Sequence, residues 1–189
     1  MKSETKICVL GLGYVGLPLA MEFSKHFKVI GYDKNLQRIK ELRKGRDNTN
    51  EVSIASLKNS KLNFSHTKKD IKDSNIFIIT VPTPVTKKNK PDLSNLIDVS
   101  KLVAKSLKLG DTIVFESTVF PGCTDDIMIP ILEKYSKLKI NKDFYVGYSP
   151  ERIDPGKSKY KLVNQNKIVS GSNKYALALI SKIYSKIIK

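Results

Sequence analysis

Residues 6–20, KICVLGLGYVGLPLA, decide the fold of this chain of 189 residues. The apolar run over 6–10 predicts a buried strand, and the apolar side chains from Tyr14 to Ser24 recur at helical spacing. A glycine-rich stretch joins the two, which indicates a tight turn. The chain is therefore predicted to begin with a strand, a turn and a helix, as in a βαβ unit.

The turn carries glycines at the spacing GxGxxG, with Tyr14 and Val15 between the last two. Gly11 permits the tight turn, Gly13 lets the backbone approach a pyrophosphate, and Gly16 lets the helix pack close to the sheet. The start of the helix supplies N–H groups and a positive dipole end to phosphates. The motif alone leaves open that the turn is only a packing device.

An acidic residue at the end of the second predicted strand strengthens the dinucleotide interpretation. Asp33 follows Gly11 by 22 residues, at the place where a carboxylate can accept hydrogen bonds from the adenosine ribose hydroxyls. The same carboxylate would repel a 2′-phosphate, which favours NAD over NADP as the cofactor. The nearby cations of Lys34 and Arg38 keep NADP open as an alternative.

The rest of the chain continues to alternate strands and helices. Strands are predicted over 28–32, 75–81, 112–115, 144–148 and 167–170, and helices over 36–43, 96–107, 125–135 and 174–188. Runs such as IFIIT lack polar alternation, as expected where helices cover both faces of a parallel sheet. We expect one α/β domain over 1–189, built on a doubly wound, mostly parallel Rossmann-like sheet with helices on both faces.

Ligands of doubly wound sheets bind beyond the carboxyl ends of the strands, so the segments that follow the predicted strands are candidate site walls. In VPTPV, residues 81–85, Pro82 and a second proline flank Thr83 and stiffen a loop suited to the flat rings of a dinucleotide. A loop that is merely rigid is the alternative.

The segment ESTVFPG, residues 116–122, follows another buried strand. Ser117 and Thr118 lie where a nicotinamide ribose or a bound water would be within reach. For Glu116, which directly adjoins the strand, a structural role such as holding loop amides competes with catalysis.

The segment YSPERIDPG, residues 148–156, adds Glu151 and Arg152. A carboxylate at this position can order a water or take protons. Arg152 can bind an acidic substrate group or pair with Glu151. Chemistry alone leaves a catalytic role for Thr118 and Glu151 as open as a structural one.

The amino-acid composition limits the classes of partner that we expect for this chain. The net charge of +16 invites a nucleic-acid interpretation, but only four of the 34 basic residues are arginines and the lysines are scattered. Solvated lysine faces are the better interpretation, since nucleic-acid binding favours a clustered patch and the bidentate guanidinium. Three glycines and a proline interrupt the apolar N-terminal stretch, and no other apolar run reaches membrane length, so we expect a cytoplasmic protein without membrane contact.

The cysteines and histidines exclude two further classes. Cys8 and Cys123 have no CxxC spacing and no neighbouring histidine, because the histidines are His26 and His66 alone. We therefore expect neither a disulfide framework nor a metal site.

Five motifs, in this order, resemble the UDP-glucose/GDP-mannose dehydrogenase family of nucleotide-sugar 6-dehydrogenases: KICVLGLGYVGLPLA, GYDKNLQRIKELRKGRDNTNEV, VPTPVTKKNKPDLS, GDTIVFESTVFPG and VGYSPERIDPG. The bacterial UDP-N-acetylhexosamine 6-dehydrogenases of surface-polysaccharide synthesis, for capsule and lipopolysaccharide, are the most similar branch. The resemblance implies oxidation of the sugar C6 alcohol to a carboxylate in two NAD-dependent steps, with the aldehyde held on a cysteine.

The resemblance also implies roles for individual residues. The segment from Gly11 to Gly16 would cradle the pyrophosphate, Asp33 and Arg38 would address the adenosine end, and Thr83 and Thr118 would line the cofactor site. Thr118 and Glu151 would order the catalytic water. The residues that would touch the UDP-sugar substrate are Glu151, Arg152 and Ile153.

Other parts of the family pattern do not occur in the sequence. The GFGGxCxPKD-like motif that carries the nucleophile is missing, as are the helper lysine and asparagine of the helix that joins the two domains. We therefore expect the N-terminal NAD-binding domain alone, without the central helix and the sugar-binding domain, and no complete oxidation by this chain. At Cys123 the resemblance implies a small residue in a turn, not the nucleophile.

Several alternatives stay open at this point. The chain is an expressed fragment, a truncated gene product or half of a split enzyme, and the full-length enzyme is expected to be a homodimer. A non-catalytic Rossmann-fold regulatory or interaction protein is the main competing interpretation. A basic nucleic-acid binder is the third.

Overall fold

The computed structural model describes residues 4–151 and 166–188, and these form one twisted sheet covered by helices. The strands run in the order β3-β2-β1-β4-β5-β6-β7. All neighbours are parallel except β7, which is antiparallel to β6. The strands are β1 (Lys6–Leu10), β2 (Lys28–Tyr32), β3 (Asn63–Ser65), β4 (Ile76–Ile79), β5 (Thr112–Phe115), β6 (Tyr145–Tyr148) and β7 (Ser170–Gly171).

Helices connect the strands. They are α1 (Gly16–Phe23), α2 (Leu36–Arg43), α3 (Ile54–Lys58), α4 (Ser94–Ala104), α5 (Ile129–Ser136) and α6 (Lys174–Tyr184). A short 3₁₀ helix, Asp70–Asp73, precedes β4, and a π-helical turn, Cys123–Met128, leads into α5. The side chains of Asn35 and Asn173 accept hydrogen bonds from the first free N–H groups of α2 and α6, which fixes where these helices begin.

The alternation of side chains along the central strand divides the core in two. Ile7 and Val9 pack on one face of the sheet with apolar residues of α1, α2 and α6. Cys8 and Leu10 pack on the other face with those of α4 and α5. Because both faces are covered, the strands are apolar throughout, and the predicted doubly wound α/β architecture is confirmed.

The structure differs from the predicted elements mainly at short segments. The strand expected over 167–170 is reduced to Ser170–Gly171, and the last helix ends at Tyr184 instead of 188. The sequence analysis did not predict β3 or α3. The strand has three residues, with one buried aromatic, Phe64, and the helix has five, and segments this short show no measurable periodicity.

The chain reverses the direction in which strands are added at β1, which lies between β2 and β4. The connections that leave β1 and β4 therefore diverge to opposite faces and leave a crevice at their carboxyl ends. Within the described residues, none of the helices has the length and apolar character that crossing a bilayer requires.

Candidate functional site

A cleft of about 750 Å³ lies at this crevice. Four chain segments line it, each following a parallel strand: the glycine-rich turn after β1 and the loops after β4, β5 and β6. The cleft brings together nine of the residues singled out in the sequence, namely Gly13, Tyr14, Val15, Pro82, Thr83, Glu116, Ser117, Thr118 and Glu151. Residues as distant in sequence as Gly13 and Glu151 thus line the same cleft.

The glycine-rich turn shows why it needs glycine. Gly11 has φ of 98°, in the left-handed region that favours glycine. A Cβ at Gly16 would lie 1.9 Å from the Gly11 carbonyl oxygen and 2.3 Å from Thr80 Oγ1, so α1 packs directly on the turn. A Cβ at Gly13 would meet no atom within 4 Å. Gly16 therefore serves helix packing, and Gly13 leaves an open backbone surface in the cleft.

Asp33 joins this turn to the end of β2. Its Oδ2 accepts a hydrogen bond from the Leu12 N–H (2.8 Å), and its Oδ1 accepts one from the Asn35 N–H (2.9 Å). A carboxylate offers about four acceptor positions, so both oxygens keep capacity for ribose hydroxyls. The side chain is therefore oriented by the protein before any ligand arrives.

Lys34 and Arg38, the two cations that could accept the 2′-phosphate of NADP, both contact other residues of the protein. Arg38 is buried: its Nε donates to the Leu12 carbonyl (2.9 Å), and its Nη2 lies 2.7 Å from Asp47 Oδ1. Lys34 lies at the surface and donates to Asn95 Oδ1 at 2.8 Å. The Arg38 guanidinium thus supports the glycine-rich turn through Leu12, and a contact between Arg38 and adenosine stays a prediction.

Asp47 is a residue of this site that the sequence analysis missed. Its carboxylate accepts hydrogen bonds from Arg38, from the hydroxyl and amide of Thr49, and from the amides of Glu51 and Val52. Burial works to raise the pKa of Asp47, but these hydrogen bonds outweigh it and hold the pKa below its ordinary value. The only sequence signal was its place within the motif GYDKNLQRIKELRKGRDNTNEV.

Two hydrogen bonds tie the loops after β4 and β5 together. Thr83 Oγ1 donates to the Thr118 carbonyl (2.6 Å), and Ser117 Oγ donates to the Val81 carbonyl (2.7 Å). Thr80 Oγ1 adds a link from the end of β4 to the Gly11 carbonyl (2.7 Å). The three strand ends around the cleft are therefore one connected rim.

A buried group of charges, which we name the lysine cluster, closes the end of the cleft beside β6. It consists of Glu116, Glu151, Lys167 and Tyr184. Lys167 Nζ lies 2.9 Å from Glu116 Oε2 and 2.6 Å from Glu151 Oε2. The Tyr184 hydroxyl donates to Glu116 Oε1. The side chains of Lys167, Glu116 and Glu151 are 5%, 0% and 7% exposed, so the cluster is almost free of solvent.

Burial dominates the electrostatics of the lysine cluster. It raises the pKa of Glu116 to about 7, although the Lys167 charge and the hydrogen bonds from Tyr184 and Lys167 oppose this and the Glu151 charge reinforces it. Burial, followed by the charge of Glu116, raises the pKa of Tyr184 well above its ordinary value. Near neutral pH, Glu116 is thus divided between its acidic and ionised forms.

The sequence had indicated Glu116 and Glu151 but not their partners. Glu116 was expected to hold loop amides if structural; its partners in the described residues are instead the side chains of Lys167 and Tyr184. These lie 51 and 68 positions away, on a short edge segment and on an amphipathic helix, and neither position carries a local motif.

The remaining predicted residues lie elsewhere. Cys123 is fully buried in the core beside α4 and α5 and does not line the cleft; burial raises the pKa of its thiol. Arg152 and Ile153 fall outside the described residues. In the described part of the chain, no three histidine, cysteine or acidic side chains are grouped so as to hold a metal ion.

Comparison with protein families gives one matching domain. Residues 5–188 match the NAD binding domain of the UDP-glucose/GDP-mannose dehydrogenase family. The match therefore includes the glycine-rich turn, the loops of the cleft and the lysine cluster.

Curated relatives agree with this match. The chain is 47% identical over 186 residues to UDP-N-acetyl-D-glucosamine 6-dehydrogenase of Pseudomonas aeruginosa and 48% identical over 186 residues to that of Salmonella typhi, covering 98% of this chain and 44% of each relative. It is 46% identical to Protein CapL of Staphylococcus aureus, covering 96% of this chain and 43% of the relative. The chain thus spans less than half the length of these relatives.

Solved structures share the fold. UDP-D-ManNAc dehydrogenase from Pyrococcus horikoshii has a TM-score of 0.90 at 36% identity, covering 98% of this chain and 45% of that one. A ternary complex of GDP-mannose dehydrogenase from Pseudomonas aeruginosa has a TM-score of 0.89 at 27% identity, covering 96% and 44%. In both cases the matched part is less than half of the solved chain.

Proposed function

This chain belongs to the UDP-glucose/GDP-mannose dehydrogenase family, as an NAD-binding domain, and on that premise we propose that it is the cofactor-binding part of a UDP-N-acetylhexosamine 6-dehydrogenase. The reaction would oxidise the C6 alcohol of the sugar to the uronic acid with two NAD. The observation that carries the proposal is the cleft at the switch point, which brings the open backbone of Gly13 together with Thr118 and Glu151, while the carboxylate of Asp33 is hydrogen-bonded to Leu12 of the same glycine-rich turn.

The side chains that contact the glycine-rich turn fit NAD better than NADP. We assign the pyrophosphate to the turn from Gly11 to Gly16 and the adenosine ribose to Asp33. A 2′-phosphate would meet the Asp33 carboxylate, while the Arg38 guanidinium is occupied by Leu12 and Asp47. Pro82, Thr83 and Ser117 would complete the cofactor wall.

Thr118 and Glu151 are the candidates for catalytic roles. NAD supplies the hydride acceptor; the residues of this chain would orient the sugar C6 toward it and hold a water for hydrolysis. Glu151 is suited to order that water, because its carboxylate lies on the cleft and is fixed by Lys167. We assign contacts with the UDP-sugar to Arg152 and Ile153, which follow Glu151 in the sequence.

We also propose that the thiol carrying the aldehyde comes from a part of the protein outside these 189 residues. Cys123 supports this, since its side chain is buried away from the cleft. Most of the contacts to the UDP-sugar and the interface of a homodimer would belong to the same additional domains.

The choice of substrate and location rests on the relatives. Two relatives at 47% and 48% identity are named for UDP-N-acetyl-D-glucosamine, and one at 37% for UDP-N-acetyl-D-mannosamine. The name CapL of a third supports a place in capsule or related polysaccharide synthesis. The unpaired cysteines fit a reducing compartment, and we place the protein in the cytoplasm.

Calorimetric titration of the chain with NAD and NADP tests the cofactor assignment. We expect binding of NAD, weaker binding of NADP, and a loss of about tenfold to a hundredfold in NAD affinity on Asp33→Ala, since hydrogen bonds to charged groups contribute about 1.5–3 kcal/mol. Asp73→Ala is the matched control, because Asp73 is an exposed carboxylate that precedes β4 at the opposite edge of the sheet. No binding at millimolar NAD would contradict the proposal.

A chimera tests the reaction. Residues 1–189 replace the corresponding part of the Salmonella typhi relative, and NADH formation is followed with UDP-N-acetylglucosamine and UDP-glucose. The proposal requires two NADH per sugar with the acetylated substrate, and Glu151→Gln should abolish turnover while leaving NAD binding intact. A folded chimera that binds NAD but is inactive with UDP-sugars would refute the assigned reaction.

A further inference from the structure

The lysine cluster joins four separate segments of the chain. Glu116 directly follows β5, Glu151 lies three residues after β6, Lys167 lies three residues before β7, and Tyr184 is the last residue of α6. Only Glu116 and Glu151 line the cleft. Lys167 and Tyr184 therefore act on the cleft through these two carboxylates.

The carboxylate of Glu151 has a direct contact with the side chain of Lys167. It lies beyond the end of β6, outside the hydrogen-bonded ladder, and follows Pro150, which donates no backbone hydrogen bond. The Ser149 hydroxyl donates to the Ile168 carbonyl (2.8 Å), so the segment carrying Glu151 runs beside the one carrying Lys167. The contact of 2.6 Å between Lys167 Nζ and Glu151 Oε2 then fixes the carboxylate itself.

The ammonium of Lys167 is fixed in turn from the opposite side. Glu116 Oε2 accepts from it, and Tyr184 holds the other oxygen of Glu116 through its hydroxyl. The Tyr184 ring is placed by an edge contact with Phe23 of α1, at 5.3 Å between centroids. The Lys167 ammonium lies 5.7 Å from the Tyr184 ring centroid, within the range of a cation–π interaction.

We propose that Lys167 is a positioning residue, whose buried ammonium holds the Glu151 carboxylate at the wall of the cofactor cleft, with Glu116 and Tyr184 as the support of the ammonium. The catalytic meaning of this arrangement rests on the function proposed above. The geometry itself is independent of that function, because it concerns only contacts between side chains of this chain.

The charge balance makes the arrangement sensitive to pH. The titratable groups that face Glu116 from the described elements packed against it are Lys167, Glu151 and Tyr184. When Glu116 is protonated, the Lys167 charge balances Glu151 alone, and the cluster is neutral. When Glu116 loses its proton, two carboxylates share one ammonium. We expect Glu151 to be held most firmly on the acidic side of the Glu116 titration.

The test compares Lys167→Met with Lys167→Arg in the chain labelled with ¹³C at the glutamate carboxyl carbons. If the Lys167 ammonium holds the carboxylate, Lys167→Met should shift the Glu151 carboxyl resonance and lower the order parameter of the Glu151 side chain, and Lys167→Arg should restore most of both changes. Lys182→Met, on the exposed side of α6, is the charge-matched control and should leave the resonance and the order parameter unchanged.

An unchanged Glu151 carboxyl resonance and order parameter in Lys167→Met would overturn the proposal, because a lysine that merely stabilises Glu116 would behave in that way. If Lys167→Met does not fold, a measurement on the wild-type protein tests the proposal instead. The ¹⁵Nζ resonance of Lys167 should be protected from solvent exchange and should shift on Glu151→Gln. A resonance that exchanges as fast as the surface lysines would equally refute the proposal.

Titration with NAD separates this proposal from the proposed function. Lys167→Met leaves the glycine-rich turn and Asp33 untouched, so its NAD affinity should stay within about twofold of wild type. In the chimera, Lys167→Met should lower kcat and leave the KM for NAD unchanged, and Lys167→Arg should recover part of kcat. If the wild-type chain fails to bind NAD, the proposed function fails, whereas an unchanged Glu151 order parameter in Lys167→Met, in a chain that binds NAD, removes the positioning role alone.

Discussion

Replacing Gly13 or Gly16 by alanine should have different effects: the first should weaken cofactor binding, and the second should destabilise the fold. A Cβ at Gly13 has no neighbour within 4 Å, and Gly13 is not in the left-handed region, so the folded protein accepts the methyl group. A Cβ at Gly16 would lie 1.9 Å from the Gly11 carbonyl oxygen, whereas real contacts of this kind are not shorter than 3.0 Å. Gly13→Ala therefore tests cofactor binding, and Gly16→Ala tests folding.

The magnitudes follow from these contacts. Gly16→Ala forces α1 away from the turn by about 1 Å, and overpacking of this kind lowers the free energy of unfolding by about 1–3 kcal/mol. Alanine has the higher helix propensity, but the loss of the hydrogen bond from Thr80 to Gly11 offsets that gain. Gly13→Ala should leave the free energy of unfolding unchanged or raise it by about 0.4–1 kcal/mol, because alanine restricts the unfolded chain.

The same methyl group at Gly13 would occupy the space into which the pyrophosphate must approach. If that clash costs about 1–3 kcal/mol, as overpacking does, the Kd for NAD rises about 5- to 140-fold. Urea denaturation followed by circular dichroism gives the stabilities, and calorimetry gives the Kd values. Wild-type NAD affinity in Gly13→Ala, or wild-type stability in Gly16→Ala, would show that the roles assigned to these glycines are wrong.

Three further predictions follow from the buried polar groups. Asp47→Asn leaves the Arg38 guanidinium without its buried charge partner, and urea denaturation should show a loss of about 3–5 kcal/mol; a change below 1 kcal/mol would mean that the pair is not buried in solution. Because Glu116 in the folded protein has a pKa of about 7 against an ordinary 4.5, the folded state holds a proton that the unfolded state releases. Stability should therefore fall as the pH rises from about 4.5 to 7, and the difference between wild type and Glu116→Gln, measured by urea denaturation across that range, should carry this slope; parallel curves would contradict the buried carboxyl. Cys8 and Cys123 are fully buried with raised thiol pKa, so iodoacetamide should label neither until urea unfolds the protein, and rapid labelling of native Cys123 would reopen its candidacy as a nucleophile.

How much of this molecule was predictable depends on whether the signal was local in sequence. The strand, turn and helix over 6–20 form one contiguous unit whose glycines and apolar spacing each have a physical cause, so the fold followed directly. The partners of Arg38 and Glu116 did not, because Asp47, Lys167 and Tyr184 carry no local pattern. A lone lysine in a short edge segment and a tyrosine on an amphipathic helix are ordinary residues until the fold places them beside a carboxylate.

The placement of the buried charges supports a functional reason for them. Between described residues, the ion pairs with buried partners are Arg38 with Asp47, below the glycine-rich turn, and Lys167 with Glu116 and Glu151, at the opposite end of the cleft. The other three pairs are at the surface, with lysine side chains 59–69% exposed.

Apolar residues of similar volume are often as stabilising as a buried ion pair, so the core has no need of these charges. What apolar residues cannot supply is an orientation for the Leu12 carbonyl or the Glu151 carboxylate. Because one buried pair holds the Leu12 carbonyl within the glycine-rich turn and the other holds the Glu151 carboxylate at the cleft, we infer that desolvation of charge is tolerated here for the sake of the geometry of the site. Urea denaturation should therefore show that replacing Lys167, Glu116 and Glu151 together by methionine, leucine and methionine leaves stability nearly unchanged, whereas Lys167→Met alone, which removes the cation between two buried carboxylates, destabilises the protein. A triple variant that is as unstable as Lys167→Met would contradict this inference.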